Sequence, residues 1–107
     1  VTETFDASKI RQLINRRKII WRRHALERML ERGLRRSVVL DVATNGEVIE
    51  DYSADRPTPT ALLFGWDKER PIHVVLSLEP DGEIAIITAY EPSLEVFESD
   101  HRTRRKP

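Results

Sequence analysis

At Gly46 the spacing of apolar residues changes from a helical repeat of about 3.6 to a strand repeat of about 2, which divides the chain into a helical part and a sheet part. Before that point, Phe5-Asp6-Ala7-Ser8 opens a first helix with Asp6 as N-cap. Ile10, Leu13 and Ile14 follow at 3–4 spacing, and the pattern runs to about Arg17. Lys18 to Trp21 is short and β-favouring, an edge strand or a linker. His24 to Leu34 reads as a second helix ended by Gly33. Its wheel sets Leu26, Met29, Leu30 and Gly33 on one side, and His24, Arg28, Glu31, Arg32 and Arg35 on the other. Ser37 caps a third helix carrying Val38, Val39, Leu40 and Val42, and Asn45-Gly46 closes it in the left-handed conformation.

After Gly46, Glu47 to Tyr52 reads as a strand with Val48 and Tyr52 on one face and Ile49 on the other. Ser53 to Pro59, holding Pro57 and Pro59, is a loop; Thr60 to Trp66 is a second strand; Asp67 to Arg70 is a charged turn. Ile72 to Leu78 and Glu83 to Tyr90 form a hairpin about Glu79-Pro80-Asp81-Gly82, where proline and glycine suit a type I turn and the left-handed position after it. Both of these strands are apolar on both faces, as central strands are. Pro92 closes the last strand, and Ser93 to Asp100 is an appendage of no clear type. The expected fold is α+β: N-terminal helices on one face of a four-stranded antiparallel sheet, one domain over residues 1–100, and a disordered basic tail over 101–107.

A length of 107 residues suits one domain. The absence of cysteine removes disulfides, thiolate metal sites and cysteine nucleophiles, and agrees with a reducing compartment. The start of the chain lacks the basic and apolar stretches of a signal peptide, and no apolar run approaches the roughly 20 residues of a membrane span, so the cytoplasm is expected. The charges sum to zero but are segregated. Residues 1–36 carry 11 Lys+Arg against 4 Asp+Glu, residues 37–100 carry 3 against 14, and the tail adds 4 basic residues. Such asymmetry suits a nucleic acid or an acidic partner, and equally suits opposite charges meeting within one fold.

No phosphate-binding glycine loop, Walker lysine or G-x-S-x-G turn is present. The notable run is Trp21 to Gly33, in which His24, Arg28 and Arg32 stand at i, i+4 and i+8. Arginine offers a permanent charge and a planar donor fork suited to phosphate, and histidine exchanges protons near neutrality. Arg22, Arg23 and Arg35 extend this surface as candidate nucleic-acid contacts. His73 lies in the central hairpin, with Thr88 and Tyr90 ending the partner strand. A type I turn with a glycine bulge points His73 away from Tyr90, whereas a one-residue shift sets them side by side. Each residue also has a structural role open to it: ion pairing for the arginines, a helix-terminal position for His24, a satisfied core group for His73 and Tyr90. His24 and Glu27 lack a third ligand at metal spacing, so no metal or other cofactor is expected.

His24-Ala-x-x-Arg28-Met29-x-x-Arg32-Gly33 resembles the signature of a small bacterial domain family of unknown function. Asn45 to Tyr52, Leu62 to Gly65, Arg70-Pro-x-His73-Val-Val75 and Ile87-Thr-x-Tyr90-x-Pro92 fit the same family in the same order, so the likeness spans about Ile19 to Pro92. Ala89 stands where the family pattern suggests valine. Members look like compact relatives of the RelE-like and BrnT-like toxins of toxin–antitoxin pairs, within the barnase/RelE-like class. The resemblance implies RNA as substrate, a bacterial cytoplasmic setting, and a cognate antitoxin partner, often a small zinc-finger protein.

The implied activity is a metal-independent endoribonuclease: a base takes the ribose 2′-proton, an acid protonates the leaving 5′ oxygen, and cations hold the charge of the transition state. His24 or His73 would serve as base or acid, Arg28 and Arg32 as the clamp, and Tyr90 as a donor to a phosphate oxygen. This requires the second helix to cross the strand bearing His73, anchored by Leu26, Met29 and Leu30. The competing expectations are a non-catalytic domain binding an acidic protein or nucleic acid, and a small-molecule enzyme or sensor on the same fold.

Overall fold

A computed structural model describes residues 7–16, 18–52, 54 and 58–106. Among these, the order is α1 (Ala7–Asn15), β1 (Ile19–Trp21), α2 (Arg23–Glu31), α3 (Arg36–Asn45), β2 (Glu47–Tyr52), β3 (Thr60–Asp67), β4 (Arg70–Leu78) and β5 (Ile84–Tyr90). The expected cap at Asp6, the helix end at Arg17, and Ser53 and Pro57 of the proline loop lie outside the described residues.

The α+β class holds, but the sheet is five-stranded and mixed, in the order β1-β5-β4-β3-β2. The fifth strand is Ile19-Ile20-Trp21, within the stretch read as an edge strand or a linker; it is an edge strand, parallel to β5, with Ile19 opposite Ile84. Three β-favouring residues are too few to be distinguished from a linker by pattern, and the bare edge of β5 gives them a partner. All three helices cover one face of the sheet. Ile10, Ala25, Met29, Leu34, Val39, Val42 and Ala43 meet Ala61, Leu63, Ile72, Val74, Leu76, Ile84, Ile86 and Ala89 in a single core. α2 packs over β5, while α3 packs over β3 and β4.

α2 is rolled relative to its expected orientation. Ala25 and Met29 are buried, whereas Leu30, expected to anchor the helix, is 84% exposed. Ala25 is small enough to bring the helix backbone close to the sheet, which turns Leu30 outward. The helix ends as expected on Gly33, at φ 65°, with Leu34 N–H bonding Met29 O at 2.8 Å and Gly33 N–H bonding Leu30 O at 3.3 Å. Two other expected caps differ. α3 begins at Arg36 behind Arg35, with no side-chain cap from Ser37. Gly46 is not left-handed but has φ −74°, and it is needed for space: a Cβ there would lie 2.3 Å from Val42 O and 2.8 Å from Phe64 O.

Two bulges set which side chains reach the outer face of the sheet. In β2 the register shifts between Val48 and Glu50, so Val48 faces the helices while Glu50 and Tyr52 face outward; Val48 and Tyr52 do not share a face. In the β4–β5 hairpin the expected turn is present, with Gly82 N–H bonding Glu79 O at 2.9 Å and Gly82 at φ 89°. A second bulge then intervenes. Leu76 pairs with Ile86 but Val75 pairs with Thr88, so the register slips at Ile87 and His73 comes to stand opposite Tyr90.

The outer face is covered by the C-terminal segment, which the sequence reading leaves as an appendage and a disordered tail. Residues 93–106 fold back on themselves: Phe97 and Arg104 form an antiparallel bridge, Arg105 N–H bonds Val96 O, and Glu98 N–H bonds Thr103 O. Arg102 pairs with Glu47 at 2.9 Å and Arg104 with Glu50 at 2.7 Å. The basic end is therefore held by the acidic strand β2, and the described domain extends through residue 106.

Candidate functional site

Alternation along β4 turns Ile72, Val74 and Leu76 toward the helices and His73 toward the outer face. There its ring sits between Phe64 and Tyr90, its cross-strand neighbours, with Phe97 placed edge-on 4.6 Å away. The imidazole is fully buried. Its Nε2 lies 2.6 Å from the carbonyl of His101. A carbonyl can only accept, so the proton is on Nε2, and the lone pair on Nδ1 faces the Tyr90 hydroxyl at 3.4 Å. Burial pushes the His73 pKa down, against the opposing pull of the His101 carbonyl and the Glu50 charge. Burial likewise raises that of Tyr90.

Glu50 completes this polar layer. Burial alone would raise its pKa, but hydrogen bonds from Arg104 and Tyr52 outweigh that and leave it lowered. Asp100 closes the terminal loop: it accepts from the Thr103 hydroxyl at 2.6 Å and from two backbone N–H groups, which hold its pKa at about 2.

The second polar group lies at the edge of β5. β1 pairs only with residues Ile84 to Ile86, so the end of β5 projects past it. The Arg32 guanidinium reaches this open edge and donates to Ala89 O at 2.9 Å and to the Thr88 hydroxyl at 3.3 Å. Arg70 holds the same corner from below, donating to Arg32 O at 2.8 Å and Gly33 O at 3.4 Å, with Glu91 3.6 Å away. Arg28 stands one turn before Arg32, paired with Glu31 at 3.0 Å yet exposed. Arg35 follows at the start of α3, also exposed. Four arginines thus stand at or next to the α2 C-terminus. Arg32 and Arg70 are fixed by backbone carbonyls, while Arg28 and Arg35 face solvent.

These positions divide the expected site. Arg32, Tyr90 and His73 are linked across β5 and β4: Arg32 bonds the Thr88 hydroxyl and the Ala89 carbonyl, and the Tyr90 hydroxyl is 3.4 Å from His73 Nδ1. His24 is not among them: its side chain is 91% exposed on α2, with Nδ1 3.7 Å from Glu27. Because α2 covers the opposite face of the sheet and His73 is sealed beneath Phe97 and His101, the two histidines do not share a pocket. Leu30 does not anchor the helix either. Arg22 forms an ion pair with Glu79 of the β4–β5 turn, and Arg23 with Glu27 at 3.1 Å within α2. No three His, Cys, Asp or Glu side chains gather as a metal site among the described residues.

Sequence reasoning missed Arg70 as a site residue, although it opens the Arg70-Pro-x-His73 run quoted for the family likeness. It also missed Phe97 and His101 as the cover over His73. The Asp100-x-x-Thr103 pattern, which favours a tight hydrogen-bonded turn, was the available signal for order in that segment.

The fold and site define a class: a small α+β domain with helices on one sheet face, a folded-back C-terminal segment on the other, and an arginine cluster at the projecting strand end. Residues 21–91 match the family described as Domain of unknown function (DUF4258), and the chain belongs to it. No curated protein and no solved structure matches the chain. No helix of the described residues is long and apolar enough to cross a membrane.

Proposed function

We propose that this chain is an RNA-binding domain that grips the phosphodiester backbone with Arg28, Arg32, Arg35 and Arg70, and that it does so without two-histidine chemistry. The observation that carries this reading is that Arg32 and Arg70, at the end of α2, are held by backbone carbonyls beside the exposed Arg28 and Arg35. Fixed, planar donor forks meet phosphate oxygens with little ordering cost, and flanking mobile cations extend the contact along the strand. RNA, rather than another polyanion, is proposed because the sequence motifs resemble those of compact relatives of RelE-like and BrnT-like toxins, and a bacterial cytoplasmic setting and a cognate antitoxin partner are proposed with it.

A specific observation favours a second reading, the metal-independent endoribonuclease toxin. The Tyr90 hydroxyl lies 3.4 Å from Nδ1 of His73, and Arg32 is bonded to Thr88 and Ala89 next to it on β5, so the hydroxyl would serve a phosphate held by Arg32. His73 would then be a positioning residue behind Tyr90, and His24 would have no part in the reaction.

Titration of a labelled single-stranded RNA separates these. Affinity should fall linearly with log salt, and Arg28→Ala and Arg35→Ala should each reduce the slope by about 0.7, the value for one phosphate contact on a single strand. RNA should remain intact. A salt-independent affinity, or slopes unchanged in both variants, contradicts the binding proposal. Cutting of RNA by the parent that is lost in Tyr90→Phe, with growth arrest relieved in parallel, replaces the binding-only reading with the toxin reading.

A further inference from the structure

α2 has two exposed flanks of opposite character. Arg28 and Arg32 lie on one side of its buried Ala25–Met29 seam, and Leu26 and Leu30 lie on the other. The second flank forms one wall of an open groove of about 300 Å³ lined by Leu26, Met29, Leu30, Leu34 and Arg36. Leu30, at 84% exposure, is the most solvent-exposed of the large apolar side chains among the described residues. It lies one turn after Leu26 on the same flank of α2, so the two make an aliphatic ridge at i and i+4, while Leu34, past the end of the helix and buried, contributes to the lining of the groove.

We infer that this groove docks an amphipathic helix with acidic flanks, contributed by another protein. A ridge of aliphatic side chains one turn apart matches the grooves of a second helix, which would seat its own apolar residues at i, i+3 or i+4, and i+7. The charges select the sign of that partner. Arg36 is the charged residue that lines the groove. Glu27, the acidic residue on this flank, is already taken by Arg23. Arg36 is positioned over the Trp21 ring at 5.6 Å, which fixes a cation at the groove mouth. A small ligand is disfavoured, because the lining offers one charged group and no convergent set of donors and acceptors to orient it. A second copy of the chain is disfavoured because pairing this flank with itself sets arginines against arginines.

The test uses the full chain and a fluorescein-labelled 20-residue synthetic helix with leucines at i, i+4, i+7 and i+11 and glutamates on both flanks. Binding followed by anisotropy should be in the micromolar range, about −8 kcal/mol. Leu30→Glu and Arg36→Glu should each weaken it about tenfold or more, as removal of a central contact does. A peptide of the same design with lysine flanks should recover affinity for Arg36→Glu. Arg28→Ala, which the RNA proposal expects to alter the salt slope, should leave the peptide affinity unchanged, so either proposal can fail alone. Leu30 is exposed, so its substitution should not unfold the domain, and the circular dichroism melt checks this. Undiminished binding to Leu30→Glu, absence of binding by the acidic peptide, or self-association of the parent that Leu30→Glu abolishes would each overturn the inference, the last in favour of a homodimer.

Discussion

His73 is the residue whose surroundings differ most from a simple catalytic role. Its ring has no exposed surface, its Nε2–H is given to a backbone carbonyl, and its Nδ1 faces a tyrosine. His73→Ala should leave a cavity and an unpaired carbonyl at His101, lowering stability by about 3–5 kcal/mol in urea denaturation. The pH dependence has a definite sign. The folded state holds this imidazole neutral with a pKa below the ordinary 6.5, so the unfolded chain binds the additional proton. The contribution of His73 is complete above 6.5 and is lost as pH falls through the lowered folded value; urea midpoints in parent and His73→Phe should converge in that direction. Diethylpyrocarbonate should modify His24, which is 91% exposed, well before His73, and Phe97→Ala should narrow the difference. That His73 meets Tyr90 was not legible from sequence. The hairpin turn could be read from Pro80 and Gly82, but the compensating bulge falls within Ile84-Ala85-Ile86-Ile87, a stretch whose apolar residues do not mark which one is extra.

At the scale of elements, the existence and order of the helices and of strands β2 to β5 followed from period and turn chemistry, because each stretch agrees with itself over several residues. Orientation was less legible. The apolar side chains of α2 span two faces, and sequence offers no reason to prefer Ala25 over Leu30 as the buried one until β5 is seen to need a close neighbour. The roll of α2 has a direct check: Met29→Ala should cost about 2–5 kcal/mol, whereas Leu30→Ala should change stability by about 0.5 kcal/mol or less. Equal losses at both positions would contradict the roll. Arg32 is the element-scale tie between α2 and the end of β5, and it explains why the site was only half legible. Its place in the polar stripe of α2 could be read, but its engagement of a backbone carbonyl on β5 depends on β1 stopping at Trp21. Arg32→Ala should raise hydrogen exchange at the α2 C-terminus and along Thr88 to Tyr90 while leaving the β3–β4 ladder protected.

For the whole molecule, the charge segregation in the sequence resolves into two different uses. The C-terminal arginines face the acidic strand β2, through Arg102–Glu47 and Arg104–Glu50, and are spent inside the fold. The arginines around the end of α2 remain at the surface. Acid should loosen the C-terminal segment in two stages of the same sign. His73 acts first, below 6.5. Glu50 and Asp100 follow, since both have folded pKa values below their ordinary ones and lose their contribution as pH falls from the carboxylate range toward about 2. The central claim is that accessible cations and a sealed histidine belong to separate parts of the molecule. The most direct measurement is an NMR titration of the ¹⁵N-labelled chain with single-stranded RNA, following arginine Nε–H and histidine ring signals together. The account predicts movement at Arg28, Arg32, Arg35 and Arg70 with the His73 ring unmoved; concerted shifts of the His24 and His73 rings would contradict it.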